Sequence, residues 1–180
     1  MNTMPGTIDL REAAAEDIRF AFAPFSLGTA LVAASVTGVA AILMGDDRTA
    51  LSRELAGAFP AARMTLDEAG LEAVVEKVVA LLEAPHEGLN LPLDIRGGAL
   101  ERVVWQALRA VPPGETVTYG QIARALPVPA TAQEVGAACA ANVLAVAVPC
   151  HRVVKADGSI SGYRWGVQRK RKLLNREAMA

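Results

Sequence analysis

From Phe20 to Gly45 the chain runs for 26 residues without a charged side chain, and this stretch limits the available folds more than any other. It is long enough to span a bilayer as a single helix. Its contents oppose that. Pro24, Gly28 and Gly38 interrupt it, and Ser26, Thr29, Ser35 and Thr37 scatter hydroxyls along it, dividing it into pieces of strand length. Ser35-Val36-Thr37-Gly38 has the composition of a turn between two such pieces. The run therefore predicts a small antiparallel sheet with strands near 18–23, 28–35 and 38–45, and no membrane as a partner.

Asp46-Asp47 offers acidic capping for a helix over about 49–59. Thr65-Leu66-Asp67-Glu68 is expected to start another, along which Leu71, Val74, Val75, Val78, Val79 and Leu82 recur at helical spacing. Ala84-Pro85-His86-Glu87-Gly88 ends that helix and marks a boundary, with His86 read as a surface loop residue. The chain thus divides into an N-terminal α/β module, 1–88, whose first 16 residues read as loose, and a second unit, 89–180. In the second unit, 91–95 is extended and 98–111 is a helix with Leu100, Val103, Val104, Ala107, Leu108 and Val111 on one side. Trp105 reads as a packing anchor there, and Pro112-Pro113-Gly114 stops the helix.

Beyond Gly114 the chain has the layout of a helix-turn-helix. Thr118 caps a helix over 119–126, Pro127-Val128-Pro129-Ala130 forces a turn, and a second helix runs over 131–141. Gly136, Ala137, Ala138, Ala140 and Ala141 leave the second helix smooth; close packing on another helix and entry into a narrow nucleic-acid groove both fit. Asn142 ends it, and a basic helix over 167–178 closes the chain. The fold class is α/β of the α+β kind: a small N-terminal antiparallel sheet with helices, then a mostly helical, winged-helix-like domain containing the helix-turn-helix.

The net charge of -1 is unevenly spread. Residues 151–180 carry eight Lys or Arg against Asp157 and Glu177, giving +6, so residues 1–150 carry -7. A polyanion-binding face and a solvated last helix account for this equally well. Cys139 and Cys150 make no disulfide framework, and His86 and His151 are the only histidines. No metal and no cofactor are expected. With no basic and apolar leader at the start, a reducing cytoplasm is the expected setting.

Chemistry concentrates in Pro149-Cys150-His151-Arg152-Val153-Val154. A thiol attacks as its thiolate, so an imidazole beside it matters when the local field promotes deprotonation. On an extended segment neighbouring side chains face opposite ways, and His151 would need a bend or a bridging water to reach Cys150. A buried apolar cysteine beside a structural histidine is the other reading of the same residues.

Seven segments together resemble the O6-alkylguanine-DNA alkyltransferases (methylated-DNA-protein-cysteine methyltransferases), most of all the Ada-type C-terminal domains. They are LPLDIRG at 91–97, VWQAL at 104–108, PPGETVTYGQIA at 112–123, ACAAN at 138–142, PCHRVV at 149–154, DGSISGYRWG at 157–166 and RKLLNRE at 171–177. The resemblance is strong over 91–177, and Leu43-Met44-Gly45-Asp46-Asp47 extends it into the first module.

The resemblance implies DNA repair by irreversible, stoichiometric transfer of an alkyl group from O6 of guanine, with O4 of thymine as a further candidate, to Cys150. His151 would deprotonate Cys150 through a water, and Glu177 would hold and polarise His151. Asn142 would link the second helix to the active segment. Tyr119 would help turn the nucleotide out and donate to the base, Tyr163 would line the guanine pocket, and the loop around Ser161 to Arg164 would form its wall. Flipping is required because a stacked base is out of reach of a buried thiol. The partner is double-stranded DNA containing O6-alkylguanine, entered through the minor groove by a monomer, with Arg152, Lys155, Arg164 and the tail cations as phosphate contacts. Where the family has an arginine that fills the gap left by the flipped base, this chain has Gln133, followed by Glu134; weaker DNA binding or flipping is implied. Two other readings compete. One is a lesion binder impaired in repair through Gln133, and the other is a cysteine hydrolase using Cys150 and His151. No regulatory role is expected.

Overall fold

The uncharged run folds as three strands in a computed structural model that describes residues 15–180. The expected loose start lies, over residues 1–14, outside the described residues. Strands β1 (Asp17–Phe25), β2 (Gly28–Ala34) and β3 (Val39–Gly45) are antiparallel neighbours. The first turn needs Gly28: its φ is +130°, and a Cβ there would meet the Gly45 carbonyl oxygen at 2.5 Å. Residues Ala30–Ala34 and Val39–Met44 are buried without alternation, as expected of strands covered on both faces. No helix among the described residues is long and apolar enough to cross a membrane.

The sheet departs from expectation in one strand. Residues Arg63–Leu66 form β4, parallel to β1, so the order is β3-β2-β1-β4 and the sheet is mixed, not purely antiparallel. Thr65 and Leu66 therefore do not start a helix. Arg63 N donates to Glu16 O and Asp67 N to Phe20 O, pairing an edge of β1 that would otherwise be open. Asp67 then turns the chain, accepting from Gly70 N at 2.9 Å, and the helix α2 spans only Glu72–Glu83. Before it, α1 (Arg48–Ala58) starts at Asp47, whose side chain caps Thr49 N.

The other edge of the sheet holds the second half of the chain. Val39 N donates to Pro92 O and Asp94 N to Val39 O; Ile42 N donates to Val143 O and Ala145 N to Ile42 O. The edge of β3 is thereby covered by the 92–94 stretch and by the segment leading to Cys150. One apolar cluster runs from Ile18, Leu31 and Ile42 through Leu108 and Val135 to Val148 and Leu173. Each such large side chain, fully buried, contributes about 1.5–3 kcal/mol, so the sheet and the helices stabilise one another.

The second half comprises α3 (Ala99–Arg109), β5 (Val117–Thr118), α4 (Tyr119–Ala125), α5 (Ala132–Ala141), β6 (Val153–Val154) and α6 (Val167–Ala178). Helices α4 and α5 form the helix-turn-helix. Both begin with capping boxes, Thr118 with Gln121 and Thr131 with Glu134, so the acidic charge of Glu134 serves the helix start. The smooth face of α5 lets α3 approach, and Trp105 Nε1 donates to Ala138 O at 2.9 Å. Gln133, Ala137 and Ala140 stay exposed.

Candidate active site

The chain reaches Cys150 through two γ-turns. Ala147 N donates to Ala145 O across Val146, whose φ is +67°, a strained geometry for a β-branched residue. Cys150 N then donates to Val148 O across Pro149. Asn142 holds this folded stretch from inside. It is 1 % exposed; its Oδ1 accepts from Leu144 N at 2.8 Å, and its Nδ2 donates to Val148 O at 3.0 Å and to Cys150 Sγ at 3.3 Å. The residue that ends α5 is thus also a direct donor to the sulfur.

Residues Cys150–Arg152 form one 3₁₀ turn, the bend that an extended segment lacks. His151 points inward with no exposure, and its Nε2 lies 2.6 Å from Glu177 Oε1. A carboxylate only accepts, so Nε2 carries the proton and Nδ1 keeps the lone pair. Nδ1 is buried without a protein partner. Burial lowers the His151 pKa against the opposing pull of Glu177, and the ring is neutral at pH 7. Burial alone would raise Glu177, but hydrogen bonds from His151 and Arg152 outweigh it and hold the carboxyl at about 2.

Arg152, expected at DNA phosphates, sits against Glu177 in the structure. It is buried, with Nε 3.1 Å from both Glu177 oxygens, one terminal nitrogen 2.8 Å from Oε1 and the other 2.7 Å from Val111 O. Held by these acceptors and largely shielded from solvent, it braces Glu177. The same holds for much of the basic end. Arg164 pairs with Glu54 at 2.8 Å and donates to Ala140 O, Arg169 pairs with Asp46 and Leu27 O, and Arg176 donates to Leu82 O. Lys155, Arg171 and Lys172 remain exposed. The charge segregation therefore mostly ties α6 to the sheet module and only partly forms a basic face.

A cavity of about 380 Å³ opens onto the sulfur, lined by Tyr119, Gly136, Cys139, Ala140, Cys150, Gly162, Tyr163 and Arg164. The two-residue parallel pairing of β5 with β6 brings Tyr119, next after β5, beside the turn that precedes β6. The Tyr119 hydroxyl is 2.5 Å from Ser161 Oγ. Tyr163 packs edge-on against Trp165 at 5.3 Å, with its hydroxyl buried and unpaired. The Cys139 thiol and burial together push Cys150 well above its ordinary value, with Asn142 and Lys170 pulling it down less strongly. The thiol is neutral at rest and needs a base.

Two residues of this site escape a reading of the sequence. Lys170, by sequence one tail cation among several, has no exposure and donates to Val153 O at 2.6 Å and Ser161 Oγ at 2.8 Å; burial lowers its pKa to about 8. Its spacing to Leu173 and Glu177, two other buried residues of α6, is the signal that places it on the inner face. Cys139 lies one turn before Asn142 and carries no such signal. The structure therefore joins Asn142 to Cys150 and His151 and Arg152 to Glu177 as two hydrogen-bonded groups on the same turn, sets Tyr119, Tyr163 and Arg164 around the adjoining cavity, and leaves Gln133 exposed on the outer face of α5.

A helix-turn-helix beside a buried cysteine, a neutral histidine and an ionised carboxylate defines a DNA-binding protein class with thiol chemistry, and comparison with known proteins agrees. The family description "6-O-methylguanine DNA methyltransferase, DNA binding domain" matches residues 99–179. The Bacillus subtilis inducible methylated-DNA-protein-cysteine methyltransferase is 36 % identical over 122 residues, 68 % of each chain. The crystal structure of Mycobacterium tuberculosis OGT in complex with DNA superposes with a TM-score of 0.74 at 30 % identity, covering 89 % of this chain and 93 % of the other. The chain belongs to the O6-methylguanine-DNA methyltransferase family. It is also 51 % identical over 161 residues to the Escherichia coli "Bifunctional transcriptional activator/DNA repair enzyme Ada", covering 89 % of this chain but 46 %, about half, of that relative's length.

Proposed function

We propose that this protein repairs DNA by moving a methyl group from O6 of guanine irreversibly onto Cys150, one transfer per molecule. The observation that carries the proposal is Cys150 lining a base-sized cavity beside the helix-turn-helix, with the next residue, His151, paired to Glu177 and its Nδ1 free of any protein partner. His151 Nδ1 takes the Cys150 proton through a water, Glu177 stabilises the resulting imidazolium, and the thiolate attacks the methyl carbon. The sulfur–carbon bond forms as the O6–carbon bond breaks, and the electron pair stays on the base. A thioether has no acidic or hydrolysable bond to release the methyl, so the protein is spent.

The base enters the cavity flipped from the duplex, at a cost of a few kcal/mol that a poorly paired lesion lowers. Tyr119 donates to it and Tyr163 covers it. Alanines on the exposed face of α5 suit a minor groove, with phosphates held chiefly by Lys155 and the free cations of α6. We infer a monomer acting in the cytoplasm; two free cysteines support the reducing setting. Incubating the protein with an O6-methylguanine duplex and weighing it intact tests this reading. One added methyl, absent in Cys150→Ala, supports it, whereas binding without an adduct would favour a lesion binder.

A further inference from the structure

Cys139 lines the same cavity as Cys150, yet the transfer as proposed makes no use of it. It stands on the last turn of α5 and is half-buried, whereas Cys150 is 4 % exposed. Asn142 touches both: its backbone N donates to Cys139 O at 3.2 Å and its Nδ2 to Cys150 Sγ at 3.3 Å. The thiols themselves are hydrogen-bonded, Cys150 donating and Cys139 accepting. That bond holds the Cys139 thiol below its ordinary value against the opposing effect of burial, with a further pull from Lys170. The more accessible sulfur thus has the greater thiolate character, and the enclosed one keeps its proton. A thiolate open to a cavity, with a second thiol beside it to resolve the first oxidation product, is the arrangement of a redox-reactive pair.

We propose that Cys139 and Cys150 form a dithiol site that peroxides oxidise reversibly to an intramolecular disulfide, with Cys139 attacked first and Cys150 as the resolving thiol. The Cys139 sulfur attacks one peroxide oxygen and the O–O bond breaks. The leaving oxygen takes the proton that Cys139 gave up, departing as an alcohol, or as water from hydrogen peroxide, and Cys139 becomes a sulfenic acid. Cys150 then attacks the Cys139 sulfur, the S–O bond breaks, and the hydroxyl leaves with the Cys150 proton as water. The two thiols together lose two electrons, and the peroxide accepts them. Oxidation stops at the disulfide, which a dithiol reductant reverses, and short of the sulfinic acid, which no thiol restores. A transient disulfide of this kind suits a reducing compartment. While it stands, Cys150 has no thiol to accept a methyl group, and an unspent acceptor is kept in reserve.

Exposure to hydrogen peroxide, followed by intact mass and peptide mapping without reductant, tests the site with no DNA present and so independently of alkyl transfer. The expected product has lost two hydrogen atoms per molecule and yields a linked Cys139–Cys150 peptide, both reversed by dithiothreitol. Methyl acceptance from an O6-methylguanine duplex, each protein compared with its own untreated sample, is expected to vanish with the disulfide and to return on reduction. Cys139→Ser is expected to oxidise on the order of tenfold more slowly, and on long exposure to gain oxygen at Cys150 that dithiothreitol does not remove. Dithiols that survive the peroxide, oxygen added to Cys150 of the unaltered protein without a cross-link, a disulfide between molecules, or the same oxidation rate and recovery in Cys139→Ser would each overturn the site. Should that variant fail to fold, the linked peptide of the unaltered protein decides. A protein that forms the disulfide but accepts no methyl when reduced would overturn the transfer reading and leave the dithiol site standing.

Discussion

Glu177 Oε1 lies 2.6 Å from His151 Nε2, and both side chains are fully enclosed by protein. Two residues from distant parts of the chain thereby fix each other's state: the carboxylate sets the imidazole tautomer, and the imidazole with Arg152 keeps the carboxylate ionised. The same pair fastens the last helix to the turn that carries Cys150.

Replacing Glu177 with Gln keeps an acceptor for His151 but leaves the Arg152 charge buried and unpaired. Losing one partner of a buried ion pair costs about 3–5 kcal/mol. Glu177→Gln should lower the urea midpoint by a corresponding amount and slow transfer at least about tenfold at temperatures where it is folded. Denaturation curves beside single-turnover rates check both.

Stability should fall on the acid side for two reasons. The folded Glu177 pKa is about 2 against an ordinary 4.5, so its stabilisation is complete above pH 4.5 and is lost as pH falls toward 2, on the order of 3 kcal/mol in all. Burial lowers His151 below its ordinary 6.5, so the unfolded state takes a proton first and stability also declines as pH drops below 6.5. Lys170 acts at the other end. Its folded value of about 8 against 10.5 means the unfolded state binds more protons between these values, and stability contributed by this group rises with pH there. Urea midpoints from pH 2 to 10 should show both slopes, and Lys170→Met should flatten the alkaline rise.

Removing Asn142 takes away the donor to Cys150 Sγ and leaves the Leu144 amide and the Val148 carbonyl without their side-chain partner. Asn142→Ala should destabilise the protein by about 2–4 kcal/mol, since buried groups lose partners at about 1–3 kcal/mol each. Thiol labelling by a small alkylator should slow as well. Calorimetry and labelling rates measure the two effects.

Gln133 is exposed at the first turn of α5, on the face left open beside the cavity-lining Gly136 and Ala140. An arginine there adds a fixed charge and a planar stacking surface. Gln133→Arg should tighten duplex binding about 3–10-fold and speed transfer, with a steeper dependence on salt. Unchanged affinity across a salt titration would show that this position does not meet DNA.

The strands of the first module are legible in the sequence because Pro24, Gly28 and Gly38 cut an uncharged run into pieces that can only pair with one another. Strand β4 is not, because its pairing comes from an open edge of β1 more than 40 residues earlier and its own four residues, Arg63 to Leu66, are too few for their alternation to mark a strand. At the site, the neighbouring Cys150 and His151 and the distant Asn142 and Glu177 are legible through the motifs that resemble the alkyltransferases. Arg152 and Lys170 are misplaced by any reading that sends cations to solvent; only the carboxylate of Glu177 and the acceptors around Ser161 explain their burial. The fate of a charged side chain depends on partners that sequence order does not reveal.

The role of Cys150 as a single-use methyl acceptor is tested most directly by intact-mass analysis of the protein after incubation with excess O6-methylguanine duplex, with peptide mapping of the modified residue. One methyl per molecule is expected, on Cys150, with repaired guanine formed in equal amount and none from Cys150→Ala. Repaired guanine in excess of protein, or repair that leaves Cys150 unmodified, would contradict that role.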